Sequence, residues 1–71
     1  MQDISTAMID GSRLKVAREA IGLSQGEVAR KIGVNKQTIS SYENGHGKPS
    51  ADIFLRLCLL YKIDARHLSA A

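Results

Sequence analysis

The stretch from Asn35 to Asn44 (NKQTISSYEN) concentrates side chains that donate and accept hydrogen bonds. Read at helical spacing, Ile39 and Tyr42 fall on one side, while Lys36, Gln37, Thr38, Ser40 and Ser41 fall on the other with no acid among them. Such a face is built to recognise, not to break bonds. A Gln amide pairs bidentately with adenine, and a Lys ammonium donates to guanine O6 and N7. A carboxylate in the same place would repel phosphate. Elsewhere no reactive set assembles. The serines lack a His/Asp partner pattern, and Cys58 with the distant His46 and His67 has no zinc spacing. Cys58 sits in an apolar run and reads as a packed thiol. No catalytic residues, no cofactor, no metal and no small-molecule effector are expected, so the chain reads as a non-enzyme.

Residue types alone leave open an ordinary solvated helix face; what matters is the framework that would present them. The chain has 71 residues, 44% of them hydrophobic, which suits one small folded domain. Tyr42, Phe54 and Tyr61 are its aromatic residues and Trp is absent, so the core must be aliphatic. Residues 1–9 carry no period and read as an N-terminal arm. Asp10-Gly11-Ser12 starts a first helix with Leu14, Ala17 and Ile21 inward, ended by Gly22. Ser24-Gln25-Gly26-Glu27 fits a capping box for a second helix that buries Val28, Ala29 and Ile32 and stops at Gly33. Asn35 caps the third helix, which Asn44-Gly45 closes. Ser50 caps a fourth with Ile53, Phe54, Leu57, Cys58 and Tyr61 on its buried face, and Asp64 caps a short fifth running through Leu68. The fold class is all-α, a compact five-helix bundle without strands.

The second and third helices have a particular relation. Ala29 gives a small residue where the third helix crosses, Gly33 tolerates positive φ in the turn, and Ile39 faces Ala29. These lie four, eight and fourteen residues after Gln25, which describes a helix-turn-helix. The segment Leu23–Gly45 (LSQGEVARKIGVNKQTISSYENG), with Arg13-Leu14-Lys15 and Arg18 before it and Lys48-Pro49-Ser50 and Ile63 to Leu68 after it, resembles the Cro/C1-type (XRE-like) family of bacterial and phage transcriptional regulators. The likeness covers roughly residues 10–69 and implies a lambda-repressor-like five-helix bundle.

That resemblance implies a sequence-specific regulator of double-stranded DNA, a repressor, with Lys36, Gln37 and Ser41 reading bases. Asn35 and Thr38 would touch phosphate or base, Thr38 alternatively serving as a local cap, and Ser40 lies toward the edge. Gln25 meets phosphate at the positive end of the second helix. Asn44 and Lys48 hold the other flank of the groove. Arg18 and Glu43 match positions that pair beneath the surface in the family. Leu55 and Leu59, one turn apart, fall off the buried face and with Ala65 form a candidate homodimer surface, or are covered by residues 1–9. A dimer would bind an inverted repeat with half-sites ~34 Å apart. The rival readings are a protein-interaction adaptor or antitoxin on the same fold, and an accessory domain of an enzyme. RNA binding lacks an aromatic stacking platform.

The net charge of +3 permits a polyanionic partner without requiring one. The single cysteine points to a reducing compartment, and neither a secretory signal nor a membrane span is read. A cytoplasmic, nucleoid-associated protein of a bacterium or phage is the corresponding expectation.

Overall fold

Among the described residues four short helices wrap one apolar core, aliphatic apart from Cys58 and the buried Phe54 and Tyr61, and each helix is started by a side chain that caps its first turn. The computed structural model describes residues 10–63. Among them are helix α1 (Gly11–Ala20), α2 (Gln25–Ile32), α3 (Lys36–Glu43) and α4 (Ala51–Tyr61), with no strand. The expected fifth helix at 64–68, the arm at 1–9 and Ala65 lie outside the described residues.

The caps explain where the helices begin. Asp10 Oδ1 accepts the Ser12 N–H at 3.0 Å and its hydroxyl at 2.7 Å. Those bonds hold the Asp10 carboxyl below its ordinary value. Ser24 and Glu27 close a full capping box. The Glu27 N–H donates to Ser24 Oγ at 3.1 Å, and the Ser24 N–H donates to Glu27 Oε1 at 2.9 Å. The bond from the Ser24 backbone, then that with its hydroxyl, lowers the Glu27 carboxyl from its ordinary 4.5. The ionised form is thus favoured in the fold, and its support of α2 is complete above that value and lost as pH falls through the depressed one. Asn35 and Ser50 cap α3 and α4 more simply, each side-chain oxygen accepting one backbone N–H three residues on, from Thr38 and Ile53.

Helices of 8 to 11 residues are marginal alone, so packing must hold them. Val28, Ala29 and Ile32 of α2 meet Ile39 of α3, Leu14 of α1 and the α4 face of Phe54, Leu57, Cys58 and Tyr61. α2 and α3 pack most extensively on each other, α1 next against α3. Gly33, at φ 91°, makes the left-handed turn between α2 and α3, and its N–H and that of Val34 both donate to the Ala29 carbonyl. Burial pushes the Tyr61 phenol up to about 12 from 10.0. Its neutral form is favoured in the fold, so this contribution is whole below pH 10.0 and lost as pH rises toward 12.

Three inward positions differ from the sequence reading. Ile21 is not on the buried stripe of α1: it caps the helix at φ −99°, one residue past the regular backbone, and stays 37% exposed. Arg18, four residues after Leu14, takes the inward place. Ala17 and Ile53 pack on the core edge, only half-buried, as Leu60 does.

Gly11 has a role that periodicity does not reveal. A Cβ there would lie 2.5 Å from the Tyr42 carbonyl oxygen and 2.6 Å from that of Glu43. The start of α1 therefore rests directly on the end of α3, backbone to backbone. Gly26 meets nothing nearer than 3.9 Å. Urea unfolding should separate the two: Gly11→Ala is expected to lower stability by about 1–3 kcal/mol through overpacking. Gly26→Ala is expected to be neutral or to raise it by up to about 1 kcal/mol through helix propensity. Equal midpoints would remove the close approach as a constraint.

Candidate nucleic-acid interface

α3 divides into two faces. At about 100° per residue, Lys36, Gln37, Ser40, Ser41 and Asn44 share an arc of roughly 140°. Lys36, Gln37 and Asn44 are exposed, and Ser40 and Ser41 are half-buried. Ile39 and Glu43 point inward. Thr38 falls beyond the arc and is committed locally. Its N–H and hydroxyl both donate to Asn35 Oδ1, at 2.8 and 2.9 Å. That spends the Asn35 oxygen and leaves the Asn35 amide hydrogens for outside acceptors. Asn44 Nδ2 donates to Ser40 Oγ at 3.3 Å, so the two flank residues support each other.

The loop after α3 is fixed at both ends. The His46 N–H donates to the Ser41 carbonyl at 2.9 Å, and Pro49 is fully buried. Lys48 between them is exposed.

Beneath this surface lies a charged cluster that spans three elements. Arg18 Nε donates to Glu43 Oε2 at 2.7 Å, and Arg18 Nη2 donates to Glu43 Oε1 at 3.1 Å. Both residues are 8% exposed. Arg18 Nη1 donates to the Leu23 carbonyl at 2.8 Å, tying in the α1–α2 connection. Gln25 Nε2 donates to Glu43 Oε1 at 3.0 Å. The bond to Glu43 raises the Arg18 guanidinium above its ordinary value despite its burial. Among the described residues no buried side-chain nitrogen or oxygen lacks a partner.

Gln25, Asn35, Lys36, Gln37, Thr38, Ser40, Ser41, Asn44 and Lys48 thus lie on α3, on its flanking residues or at the start of α2. Leu55 and Leu59 lie away from them on α4, 59% and 79% exposed, beside a groove lined also by Cys58, Lys62 and Ile63. Three positioning features escaped sequence reading: Gly11 under α3, the Gln25–Glu43 bond, and Arg56. Arg56 Nη1 donates to the Ile32 carbonyl at 3.2 Å, joining α4 to the end of α2, while Asp52 holds its other nitrogen at 3.2 Å. All three arise between residues far apart in sequence, where periodicity carries no signal. No cluster of three or more metal-ligating side chains occurs among the described residues, and none of their helices is long and apolar enough to cross a membrane.

The fold and face together define a helix-turn-helix domain. Residues 14–68 match the helix-turn-helix family model, and the chain belongs to that family, of the Cro/C1 type drawn from its sequence. The HTH-type transcriptional regulator ImmR of Bacillus subtilis is 36% identical over 58 residues, 82% of this chain and 46% of ImmR. The chain therefore spans less than half the length of that curated relative. Among solved structures, the restriction-modification controller protein C.AhdI of Aeromonas hydrophila superposes with a TM-score of 0.75 at 33% identity, covering 82% of this chain and 88% of that one. SinR of Bacillus subtilis, a master regulator for biofilm formation solved in complex with DNA, gives 0.74 at 30% identity, covering 82% and 97%.

The buried pair makes a sharp stability forecast. Arg18→Met or Glu43→Leu alone leaves the other charge buried and unpaired, which costs about 3–5 kcal/mol. The double substitution removes both charges and should recover a large part of that loss. Denaturant unfolding of the singles and the double checks this, and additive losses would mean that the two charges do not depend on each other.

Proposed function

We propose that this chain is a sequence-specific, double-stranded DNA-binding transcriptional regulator that reads the major groove with residues 36–44. The observation that carries the reading is the exposed, acid-free arc of α3, set on a helix-turn-helix of the shown family. Lys36, Gln37 and Ser41 read base edges. Gln25, Asn35, Ser40, Asn44 and Lys48 hold the phosphate backbone on either side or mix backbone and base contacts, and Thr38, whose two donors go to Asn35, takes the local-cap role. Arg18 and Glu43 form the structural pair underneath. The kinship with C.AhdI, ImmR and the DNA-bound SinR supports this assignment.

In the same reading residues 10–69 form a five-helix DNA-binding domain preceded by the arm at 1–9. The protein acts as a non-enzymatic repressor in the bacterial or phage-infected cytoplasm, at the nucleoid. Occupying an operator that overlaps a promoter is enough to repress, whereas activation needs a further contact to polymerase. A homodimer joined through Leu55, Leu59 and Ala65 places two α3 helices on an inverted repeat. The exposure of Leu55 and Leu59 supports a partner there. The same exposed pair favours one second reading, a protein-interaction adaptor or antitoxin whose main contact is another protein.

Selection from random duplexes at moderate salt decides between them. The expected product is an inverted repeat with half-sites about one helical turn, ~34 Å, apart. Lys36→Ala and Gln37→Ala should each relax one base position, at about 1–3 kcal/mol. No enriched motif would leave the adaptor reading, and a lone half-site would contradict the dimer.

A further inference from the structure

The Glu43 carboxylate receives more than its ion pair requires. Arg18 already supplies two charge-assisted bonds, one to each oxygen. Gln25 Nε2 supplies a third, across 18 residues of sequence, to an oxygen whose side chain is only 2% exposed. Gln25 is itself half-buried and occupies the first position of α2. A planar amide nitrogen carries two hydrogens. With one held by Glu43, the directions open to the second hydrogen are narrowed from inside the protein. Glutamine is among the side chains that lose most rotamer freedom when immobilised, and here much of that loss falls at folding.

We propose that Glu43 is a positioning residue for DNA binding: it holds the Gln25 side-chain amide so that the second N–H is already aimed when a backbone phosphate arrives. The inference rests on the DNA-binding reading above and assigns a further role to a residue otherwise accounted for by its pair with Arg18. The bond tightens association because the donor need not be ordered on binding. It also joins the end of α3 to the start of α2, so the phosphate contact and the base-reading helix keep a fixed spacing. Asparagine at position 25 keeps the amide chemistry but is one methylene too short to reach both Glu43 and a phosphate.

Two measurements test this. The first uses the unmutated chain without DNA: 15N relaxation of the Gln25 side-chain amide. A held amide should have an order parameter close to that of rigid backbone, about 0.85, and a value below about 0.6 overturns the proposal. The second compares Gln25→Asn and Gln25→Ala for affinity to the selected duplex and to an unrelated one, with urea midpoints showing that each variant stays folded. Both variants should lose about tenfold or more on both duplexes. Either variant binding like the unmutated chain overturns the proposal. If a variant fails to fold, the relaxation result decides. An unmutated chain that binds no duplex defeats the DNA-binding reading and this inference with it. That failure is recognisable because the order parameter is measured without DNA.

Discussion

A carboxylate buried in a domain this small needs partners for its charge, and Glu43 receives them from two different helices. Arg18 reaches it from α1 with two nitrogens, and Gln25 reaches it from the start of α2. The third nitrogen of Arg18 takes the Leu23 carbonyl, so the connection between α1 and α2 is drawn to the same point. Few arrangements of these elements make all four bonds at once. The desolvation cost makes such a pair a poor source of net stability, but it selects one geometry among alternatives that are equally well packed. Gly11 strengthens the selection, because α1 lies so close to the Tyr42 and Glu43 carbonyls that no side chain fits between.

The apolar core and this cluster divide the work. Leu14, Val28, Ile39 and Leu57 are almost wholly buried and hold the helices together. Apolar contact alone would tolerate small slides of one short helix on another. The hydrogen bonds fix the end of α3 relative to α2, and Arg56 fixes the opposite end of α2 to α4 through the Ile32 carbonyl. With both ends of α2 tied, and Gly33 turning the chain between α2 and α3, the exposed arc of α3 is presented on a rigid support. That is the physical requirement for reading base edges.

What was legible in the sequence follows the reach of the interactions. Ser24, Asn35 and Ser50 could be read as caps because a cap involves residues two or three apart. Gly33 could be read as the turn because few other residues take that backbone. The all-helical class and the inward positions of α2 came from local period. Ile21 was misread because the period was run one residue past the end of α1, where the backbone leaves the helix. Gly11, Arg56 and the Gln25–Glu43 bond were invisible because each depends on which distant backbone or side chain lies alongside. The pairing of Arg18 with Glu43 across 25 residues came from family likeness, since neither spacing nor charge singles it out. The polar face of α3 was legible as chemistry, but the proposal that it reads DNA needs the surrounding helix-turn-helix pattern.

Amide shift mapping is the most direct test of the claim that α3, held by the Glu43 cluster, is the face that meets DNA. The 15N-labelled chain is titrated with a duplex carrying the selected sequence and followed residue by residue. The expected result is that Lys36, Gln37 and Ser41 shift most, with Gln25 at the start of α2 close behind. Shifts centred on the exposed side of α1, around Lys15 and Glu19, with α3 unmoved, would contradict it.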